Sequence, residues 1–406
     1  MFRLPFLFIT TGILCFILYQ ALSLSDLAGW IGLEPRNPIG WSRIHLLVLG
    51  WATMIAMGAV YQLINVVLQS KIYSEKLGFI HYGFFFIGVT GLLYGFSSMN
   101  LIWIACCAAI AFVGILLFAW NMAVTLLHAK QWNSVTVSVG CAVIYLTLTG
   151  ISGMTMGLNF RFNLWPSFHE PLLGAHIWFG TMGWFGLIVT GISYKMLPMF
   201  YLSHGFPTRL QKVTLILWNA GVVVGAISFL LKGPLWPGLL LIVLAVIFYN
   251  AHILQIYKYR HKPNPGAGIV WSIWATRALG VIGFLALLRL LLFPDADHAH
   301  EIVVLGWAYL WGWVALTILA YMSKIVPFLW WTHKYGPRIG KGRIPTMSDL
   351  IQDRYVHIGL GSISLSLLVM LVGLSLDLHW LVATGGTALA LSSLAYISLI
   401  ALVFTK

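Results

Sequence analysis

Residues 101–127 read LIWIACCAAIAFVGILLFAWNMAVTLL, an unbroken apolar run without a single Asp, Glu, Lys or Arg. A run of roughly 20 such residues is what the ~30 Å hydrocarbon core of a bilayer requires of a helix. Lipid satisfies no backbone N–H or C=O, so a spanning segment is either a helix or a strand of a closed barrel. The run does not alternate apolar with polar, as a barrel strand does, and is therefore a helix.

Runs of the same kind fill the chain outward from there. About twelve spans are expected, near 5–24, 44–68, 79–98, 101–127, 134–157, 173–201, 211–231, 235–257, 268–292, 300–330, 355–376 and 379–404. Sixty per cent of the 406 residues are hydrophobic and 8% are charged. No water-soluble core of this size buries so much apolar surface, so lipid is the principal partner of this chain. The first span follows Arg3 and resembles a signal peptide, but has no clear small-x-small cleavage site and is kept as a span. The expected fold is an all-α membrane protein in a single domain, 1–406.

Charge orients it. With both termini in the cytoplasm, Lys71, Lys76, Lys130, Arg209, Lys212, Lys258, Arg260, Lys262, Lys334, Arg338, Lys341, Arg343 and Arg354 fall inside. Asp26, Glu34, Glu170, Asp295, Asp297, Glu301 and Asp377 fall outside. This positive-inside bias supports the span count and the orientation and accounts for the net charge of +13 without nucleic acid; the expected location is a bacterial or archaeal cytoplasmic membrane. Cys15, Cys106, Cys107 and Cys141 lie in apolar runs and form no CxxC or CxxCH pattern, which argues against covalent haem attachment, iron–sulfur ligation and a disulfide framework.

Spans two, six and ten resemble one another. Each opens with a histidine (His45, His176, His300) and reaches a Gly-Trp pair soon after: Gly50-Trp51, Gly183-Trp184 and Gly306-Trp307. Spans six and ten close with Lys-x-x-Pro, Lys195 to Pro198 and Lys324 to Pro327. The chain thus reads as three sequential four-helix units, roughly 1–130, 131–262 and 263–406, arranged as pseudo-symmetric arcs.

The histidines carry the chemistry. His45, His176, His298 and His300 sit at the expected outer mouths of the repeated helices, at one depth. Neutral imidazole is a good axial ligand for haem iron and a common copper ligand. Residues two apart on an α-helix project about 200° apart, so His298 and His300 serve different sites rather than one iron. Helix capping after Asp295 and Asp297 is the plainer alternative for either one. His81, His252 and His357 read as helix packing, and His169, beside Glu170, reads as a surface loop residue. Lys195 and Lys324 are explained by snorkelling near span ends. Arg277 lies deeper, in span nine, and calls for a carbonyl, carboxylate or water partner that the sequence does not name.

With these motifs in place, the chain resembles subunit I of the heme-copper oxidase superfamily, nearest in flavour to C-type oxidases and nitric oxide reductase large subunits. The likeness runs through the whole chain in span order; its most specific motif is His298-Ala-His300 followed by Gly-Trp. It implies that His45 and His300 ligate a low-spin haem b, that His298 holds a second haem, and that His176 stands at a copper-ligand position. Arg43, with Arg289 as a weaker candidate, would meet a haem propionate; interfacial snorkelling is the alternative. The family's seventh helix supplies a His-His pair to copper, whereas LQKVTLILWNAGVVVGAISFLLK (210–232) has no histidine and no tyrosine. A normal copper centre is therefore not expected. The implied function is respiratory electron transfer or oxygen or nitric oxide chemistry on one or two haems. Electrons would come from quinol or a separate cytochrome c-like subunit, and a diatomic gas would be the ligand. A non-catalytic haem protein for nitric oxide response and a secondary transporter are the competing readings.

Overall fold

With no water in the membrane core to pair a backbone amide, the chain resolves into helix alone. The computed structural model describes residues 2–32, 36–68, 71–293, 299–340 and 344–406. The structure is 86% helical, and the described residues contain no strand. Among them, twelve helices are long and apolar enough to cross a membrane. These are Arg3–Asp26, Pro38–Ile64, Glu75–Ser97, Leu101–Leu127, Ser134–Phe162, Pro166–Tyr201, Arg209–Leu230, Trp236–Lys258, Ala267–Leu292, His300–Lys334, Asp353–Ser375 and His379–Thr405, numbered below as the first to the twelfth span. The all-α, twelve-span architecture is thus as the sequence indicates.

Two compact units divide the chain. One comprises Met1–Gln62, Pro265–Leu279 and Asp297–Lys406; the other comprises Leu63–Asn264 and Gly280–Ala296. In the first unit, span one packs along span two, with Phe16 tilted on Trp51 at 4.3 Å between ring centroids. Tyr396 of span twelve donates its hydroxyl to the Leu319 carbonyl of span ten at 3.1 Å. Lys324 of span ten pairs with Asp353 at the start of span eleven at 3.2 Å. The two ends of the chain meet here: Phe2 stacks on His333 at 3.7 Å, and the Lys406 carbonyl accepts from Lys334 Nζ and the Tyr335 hydroxyl.

In the second unit the loop before span three is fastened to span four. Asn121 accepts from the Ser74 N–H at 3.1 Å and donates to the Ser74 carbonyl at 2.9 Å. Spans three and four touch backbone to backbone, because a Cβ at Gly88 would collide with the backbone of Ala111. The eleven–twelve hairpin of the other unit repeats the device at Gly385, against Met370. Small residues at such contacts replace the hydrophobic drive that lipid cannot provide between helices.

Each of the second, sixth and tenth spans is interrupted by a π-helical stretch: Leu46–Thr53, Phe179–Phe185 and Leu310–Ala315. A π-turn inserts one extra residue into an α-helix and persists only where packing or function maintains it. Here packing does so in part. The widened turn of span six offers the Met182 carbonyl, which accepts from Trp218 Nε1 of span seven at 2.7 Å. In span ten the indole of Trp313 donates to Thr276 Oγ1 of span nine at 3.1 Å.

These stretches correct the repeat register. They contain Gly50-Trp51, Gly183-Trp184 and Gly312-Trp313, not Gly306-Trp307. In the corrected register Trp184, Lys195 and Pro198 have the same spacing as Trp313, Lys324 and Pro327. The three tryptophans are buried to 1% exposure or less.

Candidate functional site

His45 stands deeper in its helix than the apolar run of span two implies. Asn37 caps the helix, accepting from the Gly40 N–H at 2.6 Å, and Pro38 occupies the first turn. The helix therefore starts two turns before His45 and passes into the π-stretch directly after it. The ring is half-buried, and its Nδ1–H donates to the Trp41 carbonyl at 2.7 Å. That bond fixes the tautomer and places the lone pair on Nε2, as for an imidazole oriented to ligate a metal.

His176 is held in the same way, with Nδ1–H donating to the Thr149 carbonyl at 3.0 Å and Ser152 Oγ at 3.2 Å. Its ring lies over Gly153 of span five, where a Cβ would press against Cε1. No group of three or more His, Cys, Asp or Glu suited to a metal occurs among the described residues. His169 contacts the ring of Phe160 at 4.9 Å.

His300 differs from both. It is exposed at the first residue of its span. Measured from the π-stretch tryptophan, His45 lies six residues upstream, His176 eight and His300 thirteen. At ~1.5 Å per residue, His300 is about 10 Å nearer the span end than His45. The histidines therefore stand at different distances from the π-stretches of their own spans. Trp307, not a histidine, takes the place in span ten that His45 takes in span two. His298 lies outside the described residues.

Arg43 is committed within the protein. Its Nη2 and Nε donate to Asp26 Oδ2 at 2.6 and 3.1 Å, joining span two to the end of span one. A propionate at this site would compete with Asp26 for the guanidinium. Arg289 lies against the ring of Phe293 at 4.3 Å.

One to two turns before Asp26, Tyr19, Gln20 and Ser23 of span one line a narrow crevice with no room for a water molecule. Trp307 and Trp311 of span ten, Met370 of span eleven, and Gly386 and Leu389 of span twelve complete it. Three polar groups in its walls, Tyr19 OH, Gln20 Nε2 and Trp311 Nε1, are buried without a hydrogen bond of good geometry, although the Tyr19 hydroxyl comes close to Ser23 and Trp311. Unpaired buried polar groups cost roughly 1–3 kcal/mol each, so the walls are suited to a ligand that brings acceptors.

For haem, the ligand chemistry fits at His45. The crevice, too narrow for water, does not take the macrocycle as it stands.

Three further histidines are packed or hydrogen-bonded. His81 is fully buried beside Phe118 at 5.2 Å, His252 Nε2 meets Gln211 Nε2 at 2.9 Å, and His357 Nδ1 accepts from Trp271 Nε1 at 3.0 Å. The sequence reading missed Tyr19, Gln20 and Trp311. A Tyr-Gln pair inside an apolar run was the available signal, since polar residues there need partners. No protein-family model matches the chain, and no curated protein matches it at a significant level.

Proposed function

We propose that this integral membrane protein binds haem b, with His45 as an axial ligand, and works in electron transfer or diatomic gas chemistry without a normal copper centre. The observation that carries the reading is the His45 imidazole, whose Nδ1–H is anchored to the Trp41 carbonyl at the entry to a π-helical stretch. Such stretches are frequent at functional sites. The buried donors of Tyr19, Gln20 and Trp311 support it as partners for the polar edge of a bound group. His300 is the second ligand in this reading, which requires the start of span ten to move inward, since His300 is exposed and stands about 10 Å nearer the span end than His45. Span seven carries no histidine to complete a copper site with His176, and the reading therefore takes transfer or gas binding over oxygen reduction at a two-metal centre.

The test is an absorption spectrum of the purified protein, oxidised and dithionite-reduced, with haem and copper measured per chain. One low-spin haem b per chain, lost in His45→Ala, is the expected result. Absence of stoichiometric haem from protein purified out of haem-replete cells refutes the proposal and leaves transport as the reading to pursue.

A further inference from the structure

In the corrected repeat register Lys195 of span six is the counterpart of Lys324 of span ten. Each stands eleven residues after the tryptophan of its π-stretch and three before a proline. Lys324 is answered within its own unit: Asp353, the first residue of span eleven, accepts from its Nζ at 3.2 Å. The residue that opens the helix after Lys195 is instead Arg209, with Lys212 in the same first turn and no acid there. The chain carries no Asp or Glu anywhere from Pro171 to Pro294.

Contacts inside the second unit fix where these cations stand. Spans six and seven run antiparallel: the Trp178 indole donates to the Val222 carbonyl at 3.1 Å, the Trp218 indole donates to the Met182 carbonyl, and the Tyr194 hydroxyl comes close to Thr214. One residue beyond Tyr194, Lys195 is level with the first turn of span seven. It is half-buried and six residues short of the helix end at Tyr201, ~9 Å at ~1.5 Å per residue. The loop that follows is fastened to the end of span eight. Ser203 Oγ donates to the Ile256 carbonyl at 2.8 Å, and the Tyr201 carbonyl accepts from the His261 and Lys262 N–H groups at 3.2 and 3.0 Å. Lys258, Arg260 and Lys262 are thereby held at the same end of the unit, adding to its positive charge.

No carboxylate answers this charge. Lys195, Arg209 and Lys212 form no ion pair among the described residues. Glu75, the unit's one acid at this end of its spans, opens span three and pairs with none of them. The acids at the corresponding span ends of the first unit are engaged within it, Asp353 by Lys324 and Asp349 by Thr346. Cations in the first turn of a helix also oppose its dipole, so what is missing is an anion. We propose that Lys195, Arg209 and Lys212 hold a phosphate group, in the place that Asp353 takes in the first unit. Phosphate offers several strong acceptor oxygens to one guanidinium and two ammonium groups. Its source is the headgroup of an anionic phospholipid, whose phosphates lie at the level of span ends, or free phosphate; the chemistry of recognition is the same.

The experiment is thermal unfolding of the full chain, purified in detergent and stripped of lipid. It is titrated with phosphatidylglycerol, with phosphatidylcholine, and with sodium phosphate against sodium chloride at equal ionic strength. A saturable rise in melting temperature is expected with phosphatidylglycerol or inorganic phosphate, and none with phosphatidylcholine or chloride. A rise with phosphatidylglycerol alone makes the ligand a lipid headgroup; a rise with inorganic phosphate makes it the free ion. In Lys195→Met and Lys212→Gln the half-saturating concentration increases about fivefold or more. Lys130→Gln, which removes a cation elsewhere at the same end of the unit, leaves it unchanged. Arg209→Asp rebuilds the ion pair that Lys324 makes with Asp353, so this variant melts higher than the wild type without ligand and no longer responds to it. Four results overturn the inference: no response to either phosphate source, an equal response to phosphatidylcholine or chloride, a loss in Lys130→Gln as large as in Lys195→Met, or an undiminished response in Arg209→Asp.

Discussion

Deleting Ala315 tests whether the π-stretch of span ten is required by its surroundings. The deletion converts Leu310–Ala315 toward α-helix and turns everything after it by about 100°, with a ~1.5 Å shift along the axis. Leu319, Ala320 and Met322, now 0–1% exposed, leave their buried positions. Lys324 Nζ, 3.2 Å from Asp353, travels with the turn. For a side chain ~5–6 Å from the helix axis, a 100° turn is a displacement of about 8 Å, well beyond ion-pair range. The lost packing alone is worth several kcal/mol, since vacating a buried Leu or Met position costs ~2–5 kcal/mol. The assay is thermal unfolding of the purified protein in detergent, paired with the charge exchange Lys324→Asp and Asp353→Lys. The wild-type background should show coupling between the exchanged charges, and the deletion variant should show none and melt far lower. A deletion variant with an unchanged melting temperature and intact coupling refutes the claim that packing maintains the extra residue.

Four further outcomes are expected. Gly88→Ala destabilises the span three–four hairpin by about 1–3 kcal/mol, as overpacking does, while Gly83→Ala, with open space around it, is neutral; thermal melts of the two variants make the comparison. Asp26→Asn removes the anion that holds Arg43 and lowers stability by ~1–3 kcal/mol, the cost of leaving one partner of a partly buried charge pair unpaired; the double variant Asp26→Asn with Arg43→Met recovers much of it in the same thermal melt. Asp349 accepts from the Thr346 N–H and hydroxyl, each at 2.8 Å, which holds its carboxyl below the usual carboxylate range. Its folded pKa is depressed, so its stabilising effect is present above the ordinary carboxylate pKa and lost as pH falls through the folded one; a carboxylate NMR titration in Thr346→Val should move back toward ~3.9. Gln20→Leu removes a buried donor from the wall of the crevice, and should raise the melting temperature of the haem-free chain while weakening any haem retained by the wild type, read from spectra of the same preparations.

The number and type of elements were legible because each is decided locally. A run such as 101–127 has no choice of solvent and none of secondary structure, and the twelve spans follow from repeating that argument. Span starts were less legible. Asn37-Pro38 places the start of span two before the apolar run begins, and with it puts His45 two turns inside the helix instead of at its mouth. The repeat itself was visible, but its register was not secured by hydropathy. Gly306-Trp307 and Gly312-Trp313 are equally apolar pairs, and only the π-stretch and the common Trp-to-Lys-to-Pro spacing select the second.

The sequence by itself determined an all-helical, twelve-span membrane chain, a set of histidine-bearing repeated spans, and an arginine at mid-span needing a partner. These depend on residue type and spacing along one helix, which are properties of the chain before it packs. Tertiary structure decided the rest. It gave Arg43 to Asp26, oriented His45 through the Trp41 carbonyl, and brought Tyr19, Gln20 and Trp311 together around one narrow crevice. The physical reason is the solvent. In lipid, hydropathy no longer distinguishes an inward face from an outward one, because both are apolar; only close contact between helices settles which polar groups meet and which are left waiting.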